Sequence, residues 1–363
     1  CILLGTNTAQ YRIFDGMRAL DYLESREDID SERLGCSGNS GGGTLTSYLM
    51  VLDERIRCAA PSCYLTTLER LMETRGPQDA EQNIYGQIEE GMDHADYLLM
   101  RAPLPTLMCT TTHDMFAIDG AWDTFRQAKR IYTRLGFSER VDLIEVDGPH
   151  GLQLLQREAI VRWMRRWLCG VDEVVTEPNL EVFTDEELQC APKGQVMRMA
   201  GARSSFELNV ERDDGLAARR PGLKAIGARD RVREILGVPA LDVLPEGAIE
   251  QVEVIEGEGC RTEKLVIDIE PGIRIPALAF VPEESNALAY LYANGEGKSV
   301  DATGAIADLV HQGHPVLSVD VRGCGETRPE SPVKSAFFAL NLFSMNLLHN
   351  LVYLPSPEIL LFE

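Results

Sequence analysis

Residues 35–48 read GCSGNSGGGTLTSY, with a serine among five glycines between an apolar stretch and a helix-like one. Few local structures need that composition. One wraps backbone N–H groups around a phosphate. The other turns a strand into a helix so sharply that one serine projects at the bend, and glycines allow the close approach of neighbouring backbone. The phosphate reading fails on the residues. No Lys-Ser or Lys-Thr follows the glycines, which excludes a phosphate-binding loop of the G-x-x-x-x-G-K-[ST] kind. A dinucleotide loop needs G-x-G-x-x-G, and Gly38, Ser40 and Gly43 break that register. Gly38-Asn39-Ser40-Gly41-Gly42 does fit G-x-S-x-G, the nucleophile-elbow pattern.

The flanking sequence supplies the strand and the helix. Residues 8–25 place Ile13, Met17, Leu20 and Leu23 at helical spacing. RLGCSG predicts a short strand entering the glycines, and 43–52 a helix leaving them. RIRCAAPSCY (55–64), LPTLMCTTTHD (104–114) and RVDLIEVDGPHG (140–151) read as further strands. Residues 65–100 are helical but interrupted at Gly76-Pro77 and Gly91. Residues 119–135 and 152–168 are amphipathic helices, the latter with Trp163 and Trp167 one turn apart. Strands alternating with helices imply an α/β fold, a mostly parallel sheet with helices on both faces. Its functional loops lie at the carboxyl ends of the strands.

A serine nucleophile needs a base, and the base needs an orienting carboxylate. Downstream of Ser40, His150 stands in DGPHG directly after a predicted strand, where a Gly-Pro turn can aim it at a neighbouring loop. Asp114 ends the strand before it. Asp119 is a candidate N-cap of the next helix, which leaves Asp114 as the acid. His113 beside Asp114, and Asp147 beside the histidine turn, are the alternatives. Ser40, Asp114 and His150 are expected on three consecutive strand ends, in the order Ser, Asp, His. The Gly41 N–H, first after the nucleophile, supplies one oxyanion donor. Glu145 and Glu296 read as surface or loop residues.

The formal net charge of −22 repels a phosphate backbone, so no nucleic-acid partner is expected. No apolar run approaches the ~20 residues of a membrane span. Nine cysteines are scattered without metal-type pairs, so neither a metal nor a disulfide framework is expected, and no cofactor motif stands out. Cys36 and Cys109 fall in predicted buried strands, where a free thiol packs as a small apolar group. The opening CILLGTNTAQ has no initiator Met and no signal-peptide pattern, and reads as the start of a fragment.

The stretches GNSGGGTLTSYL, LDERIRCAAPSCY, THDMFAIDGAWDTFRQAKRIY and ERVDLIEVDGPHG resemble the carboxyl half of an α/β-hydrolase, in detail a bacterial acetylxylan-esterase-like one. The resemblance covers about 160 residues and assigns Ser40 as nucleophile, Asp114 as acid and His150 as base, in agreement with the spacing. The front half of such a domain does not precede residue 8. Similar stretches occur instead at 261–327: EPGIRIPALAFVPEE is similar to the opening hairpin and ALAYLYANGEGK to the oxyanion strand. There Asn294-Gly295 stands where His-Gly is often found, making Gly295 the second expected donor. VLSVDVRGCGET is similar to the strand that follows. The expected organisation is therefore 1–170, the back half of one hydrolase domain; 171–260, a linker with local structure; and 261–363, the front half of a second, as in a fragment of a tandem chain. The two halves are complementary, so 261–340 could complete the sheet of 1–170 in circularly permuted order. The strand ending at Asp320-Val321 would then lie beside that at GCSG. The resemblance implies a serine carboxylic-ester hydrolase acting on small esters or acetylated, xylan-type carbohydrates. A serine peptidase of the same fold and a truncated, non-catalytic scaffold are the rival readings.

Overall fold

The computed structural model describes residues 1–328 except Pro77, 221–226, 245–246 and Ala287, together with Leu360 and Leu361. The apolar segment 335–354, read as a helix, lies outside the described residues. The chain divides into two units, Cys1–Gly222 and Leu223–Glu363. No helix among the described residues is long and apolar enough to cross a membrane.

In the first unit α1 (Ala9–Glu24) precedes a four-stranded sheet. Its strands are β1 (Leu34–Asn39), β2 (Ile56–Ser62), β3 (Thr106–His113) and β4 (Val141–Pro149). They lie in the order β1-β2-β3-β4 and every pair is parallel. Parallel neighbours require crossovers. These are α2 (Gly41–Leu52), then α3 (Leu68–Thr74) with α4 (His94–Arg101), then α5 (Ile118–Arg134). After β4, α6 (Leu154–Met164) continues into a π-helical turn, Arg165–Cys169.

The period of two along the strands serves two cores. Ala59 and Met108 join the core built with α1, α2, α4 and α5. Their neighbours Cys58, Ala60, Leu107 and Cys109 join the opposite core under α6, with Ile160 and Trp163. A sheet covered on both faces reads as near-continuous apolar strands, which is why its strands are legible without alternation. Helix α5 buries Gly120, Thr124, Ala128 and Tyr132, four residues apart, against this layer. Arg101, 3% exposed, pins the sheet to α2: its guanidinium donates to the Met50 and Ile56 carbonyls at 2.8 and 3.1 Å and to Thr106 Oγ1 at 2.9 Å.

The segment read as a linker is not uniform. Its start is held on the first unit, where Arg157 pairs with Glu177 at 2.6 Å. It then forms α7 (Asp185–Leu188) and α8 (Ser205–Ala217), and the Tyr11 hydroxyl donates to Asn209 Oδ1 at 3.0 Å.

The second unit carries α9 (Ala228–Leu236), β5 (Ala248–Gly257), β6 (Cys260–Glu270), β7 (Ile273–Pro282), β8 (Tyr290–Ala293), α10 (Ala305–His311), β9 (Val316–Val319) and the short β10 (Leu360–Leu361). β6 and β7 form the hairpin expected at Pro271-Gly272, with Gly272 at φ 78°. β5, inside the stretch read as linker, is a third antiparallel strand on β6. The sheet order is β10-β8-β9-β7-β6-β5, with β8 and β9 parallel. Ile306 and Val310 of α10 pack on Phe280, Tyr292 and Val316. β9, ending before Asp320-Val321, has β7 on one edge and β8 on the other.

Candidate active site

The residues with chemistry collect at the carboxyl ends of the first sheet. Ser40 follows β1, Cys63 follows β2, Asp114 follows β3 and His150 follows β4. The strand ends of Ser40, Asp114 and His150 are thus not consecutive, because β2 lies between the first two.

Ser40 holds φ 57° and ψ −118°, a strained backbone for a residue with a Cβ. Neighbouring backbone makes that turn possible. The Ser40 N–H donates to the Ser62 carbonyl at 2.9 Å, and the Thr44 N–H returns to the Ser40 carbonyl at 2.9 Å. Two of the glycines are required by contact. A Cβ on Gly38 would lie 2.4 Å from the Gly42 oxygen, and one on Gly43 would lie 2.2 Å from the Ser62 oxygen. Gly42 has nothing within 4 Å of that position. Gly41 begins α2, so its N–H is among those left without a helical acceptor. A Cβ there would face the Arg12–Glu81 ion pair, at 3.7 Å from Arg12 Nη1 and 3.5 Å from Glu81 Oε1.

Asp114 and His150 meet. The ring Nδ1 lies 2.8 Å from Asp114 Oδ1, with the carboxylate 2% and the imidazole 23% exposed. The Phe116 N–H donates to the same Oδ1 at 3.0 Å, and the Thr111 hydroxyl to Oδ2 at 2.9 Å. Burial pushes this carboxyl upward. The hydrogen bonds from His150 and the Phe116 N–H outweigh it and hold Asp114 below the usual range. An ionised carboxylate only accepts, so the ring proton that faces it is on Nδ1. Phe116 packs against the imidazole, with ring centroids 5.9 Å apart.

The alternatives sort themselves out. His113 Nε2 and Asp147 Oδ1 pair with one another at 3.2 Å in an exposed contact. Asp119 does not cap α5: Ala117 holds that place, and Asp119, in the first turn, pairs with Arg70 at 2.8 Å. Glu145 accepts from Thr112 Oγ1 at 2.9 Å and Trp122 Nε1 at 2.8 Å. Gly295 lies in the second unit, after β8, where its carbonyl accepts from Arg328 at 3.1 Å. That loop is built on a buried ion pair, Lys298 to Asp320 at 2.7 Å.

Cys63 is the residue that sequence reading missed. It is 2% exposed, at φ 52°. Its Sγ lies 3.6 Å from the Gly151 carbonyl and 3.6 Å from Gln156 Nε2. Burial, chiefly, raises its thiol above the ordinary value. Ligand atoms of Cys63, Asp114 and His150 all lie within 4.8 Å of one another. The signal that could have found it is positional: it ends a predicted strand, as the other three do.

Residues 4–133 match the family model described as the prolyl oligopeptidase family. The chain is 24% identical over 160 residues to "Putative hydrolase YtaP" of Bacillus subtilis (strain 168), covering 43% of this chain and 53% of that one. It thus spans about half the length of that relative. Among solved structures it is similar to a carbohydrate esterase family 15 glucuronoyl esterase from Caldicellulosiruptor kristjansonii, at 15% identity and TM-score 0.40, covering 49% of this chain and 55% of that one. It is also similar to "Methylesterase BT1017", at 28% identity and TM-score 0.38, covering 43% and 34%. With its parallel sheet, crossover helices and glycine-framed serine turn, the first unit has an α/β-hydrolase-like fold.

Proposed function

We propose that the first unit is the catalytic part of a serine hydrolase that cleaves carboxylic esters, with acetylated carbohydrates as the substrate class. The observation that carries this reading is the 2.8 Å contact between His150 Nδ1 and the buried Asp114 carboxylate, at the same edge of the parallel sheet, its carboxyl strand ends, as the Ser40 turn. In the proposed reaction His150 Nε2 takes the Ser40 hydroxyl proton as Oγ attacks the ester carbonyl. The alkoxide of the tetrahedral intermediate accepts from the Gly41 N–H. Collapse returns the proton from His150 to the leaving alcohol, and water then hydrolyses the acyl-serine by the same exchange. Asp114 keeps the imidazole in the Nδ1–H form and stabilises its cation.

The match of residues 4–133 to the prolyl oligopeptidase family favours a second reading, a peptidase using the same three residues. The acetyl-carbohydrate class rests on the acetylxylan-esterase resemblance of the sequence.

Labelling with a fluorophosphonate tests the site. One label per chain at Ser40, absent in Ser40→Ala, is expected. Folded protein that takes no label would refute the hydrolase reading in favour of a scaffold. A labelled protein that turns over peptides and leaves acetyl esters intact would favour the peptidase.

A further inference from the structure

We propose that Cys63, Asp114 and His150 form a binding site for a soft divalent cation, zinc being the prototype, and that loading it switches off the candidate active site. The inhibitory part rests on the hydrolase reading above; the binding part does not.

The donor set is one thiol, one carboxylate and one imidazole, with ligand atoms all within 4.8 Å of one another. Tetrahedral zinc at ordinary bond lengths holds such atoms about 3.3–3.7 Å apart. The site is therefore close to size without a cation, and closing it takes movements of about 1 Å. Each ligand comes from a different strand end, so the frame of the parallel sheet already holds all three. Their supports are in place as well. Gln156, fully buried, donates to the Thr110 carbonyl at 3.0 Å and to the Cys63 sulfur at 3.6 Å. Thr111 and the Phe116 N–H orient the carboxylate. Such outer contacts fix ligand geometry. The imidazole, 23% exposed, opens the cluster to solvent.

Sulfur makes the set selective. Magnesium and calcium prefer oxygen donors, whereas zinc and its softer neighbours take thiolate and imidazole. On binding, the Cys63 thiol releases its proton to solvent, and the carboxylate and imidazole contribute lone pairs. Whichever ring nitrogen takes the ion, the base is lost. Ligation at Nδ1 breaks the bond to Asp114 and moves the ring proton to Nε2. Ligation at Nε2 occupies the lone pair that would accept the Ser40 proton. A Ser-His-Asp site without Cys63 offers only two of these ligands, so the cysteine turns an acid–base pair into a metal site.

The test uses the whole chain, with Cys63→Ala and Cys63→Ser, each checked for native circular dichroism. Cobalt(II) is titrated first, because a cobalt–thiolate bond gives a near-ultraviolet charge-transfer band. One cobalt-dependent band present in the parent and missing from both variants is expected; the remaining cysteines are common to all three proteins. Zinc affinity, read by competition with a chromophoric chelator, should fall at least ~10- to 100-fold in the variants. Fluorophosphonate labelling of Ser40 is then followed with and without zinc, each protein compared with its own metal-free rate. Zinc should suppress labelling of the parent, EDTA should restore it, and the variants should need at least tenfold more zinc. An unchanged cobalt band in both variants would overturn the site. Equal zinc sensitivity of parent and variants would overturn the switch. Failure of the parent to label without metal would count against the hydrolase reading, while the cobalt experiment would still decide the site.

Discussion

Gly42 and Gly43 are adjacent in sequence, and the structure assigns opposite signs to the same substitution. An alanine at 43 would place its Cβ 2.2 Å from the Ser62 oxygen, where ordinary contact begins near 3.4 Å. Relief takes about 1 Å of movement in two backbones that cannot rotate away. The Ser62 oxygen also accepts the Ser40 N–H at 2.9 Å, so the movement strains the bond that sets the turn. Overpacking costs about 1–3 kcal/mol and a lost hydrogen bond about 1 kcal/mol, together about 2–4 kcal/mol. Gly42 meets nothing within 4 Å. There an alanine restricts the unfolded chain and favours the helix, a gain of up to about 0.5–1 kcal/mol. All three tryptophans, at 122, 163 and 167, lie in the first unit, so their fluorescence during urea unfolding reports that unit alone. At a slope of about 2–3 kcal/mol per molar, Gly43→Ala should lower the midpoint by about 1 M, while Gly42→Ala leaves it unchanged or raises it. Ser40 labelling should collapse in the first variant. Equal midpoints for the two variants would show that the close approach of β2 to α2 does not constrain the turn.

Asp114→Asn should keep the imidazole tautomer, because the Phe116 N–H already points at the oxygen facing His150 and forbids an amide NH2 there. The variant then loses only the charge, about 4 kcal/mol or ~10³-fold in labelling rate at an effective dielectric of 20; nitrogen-15 shifts that place the proton on Nε2 would contradict this. His94 is buried, and burial pushes its imidazole down to about 4 from 6.5. The unfolded chain therefore takes up a proton below pH 6.5 that the fold refuses until about 4. Stability is lost as pH falls through that window, by about 3 kcal/mol in total, and His94→Gln should flatten the urea midpoint between pH 7 and 4.5 relative to the parent. Arg101→Met removes the donors to the Met50 and Ile56 carbonyls. A loss of about 2–5 kcal/mol is expected, and an unchanged urea midpoint would show that these carbonyls find other partners.

Much of the first unit was legible because its signals are local. A glycine-framed serine between strand and helix, apolar runs of strand length and four-residue periodicity in α5 each depend on residues near in sequence. The order of Ser40, Asp114 and His150 along strand ends followed from the same runs. Legibility ended where a residue's role depends on a partner far along the chain. Asp119 has the composition of a cap, but Arg70 claims it. β5 lies in the stretch that reads as linker: its apolar residues stay exposed, and only its pairing with β6 makes it a strand.

The sequence by itself determined most elements of the first unit and the glycine-framed serine turn, because backbone sterics and hydrophobic periodicity act over a few residues. Tertiary structure alone decided that β9 lies inside its sheet with both edges used. It alone decided that a Cβ at Gly43 would meet the Ser62 oxygen while one at Gly42 would meet nothing. And it alone brought Cys63 to the Asp114–His150 pair. Strand order and contact at a few ångströms are set by which distant faces pack together, and no short stretch of sequence encodes that.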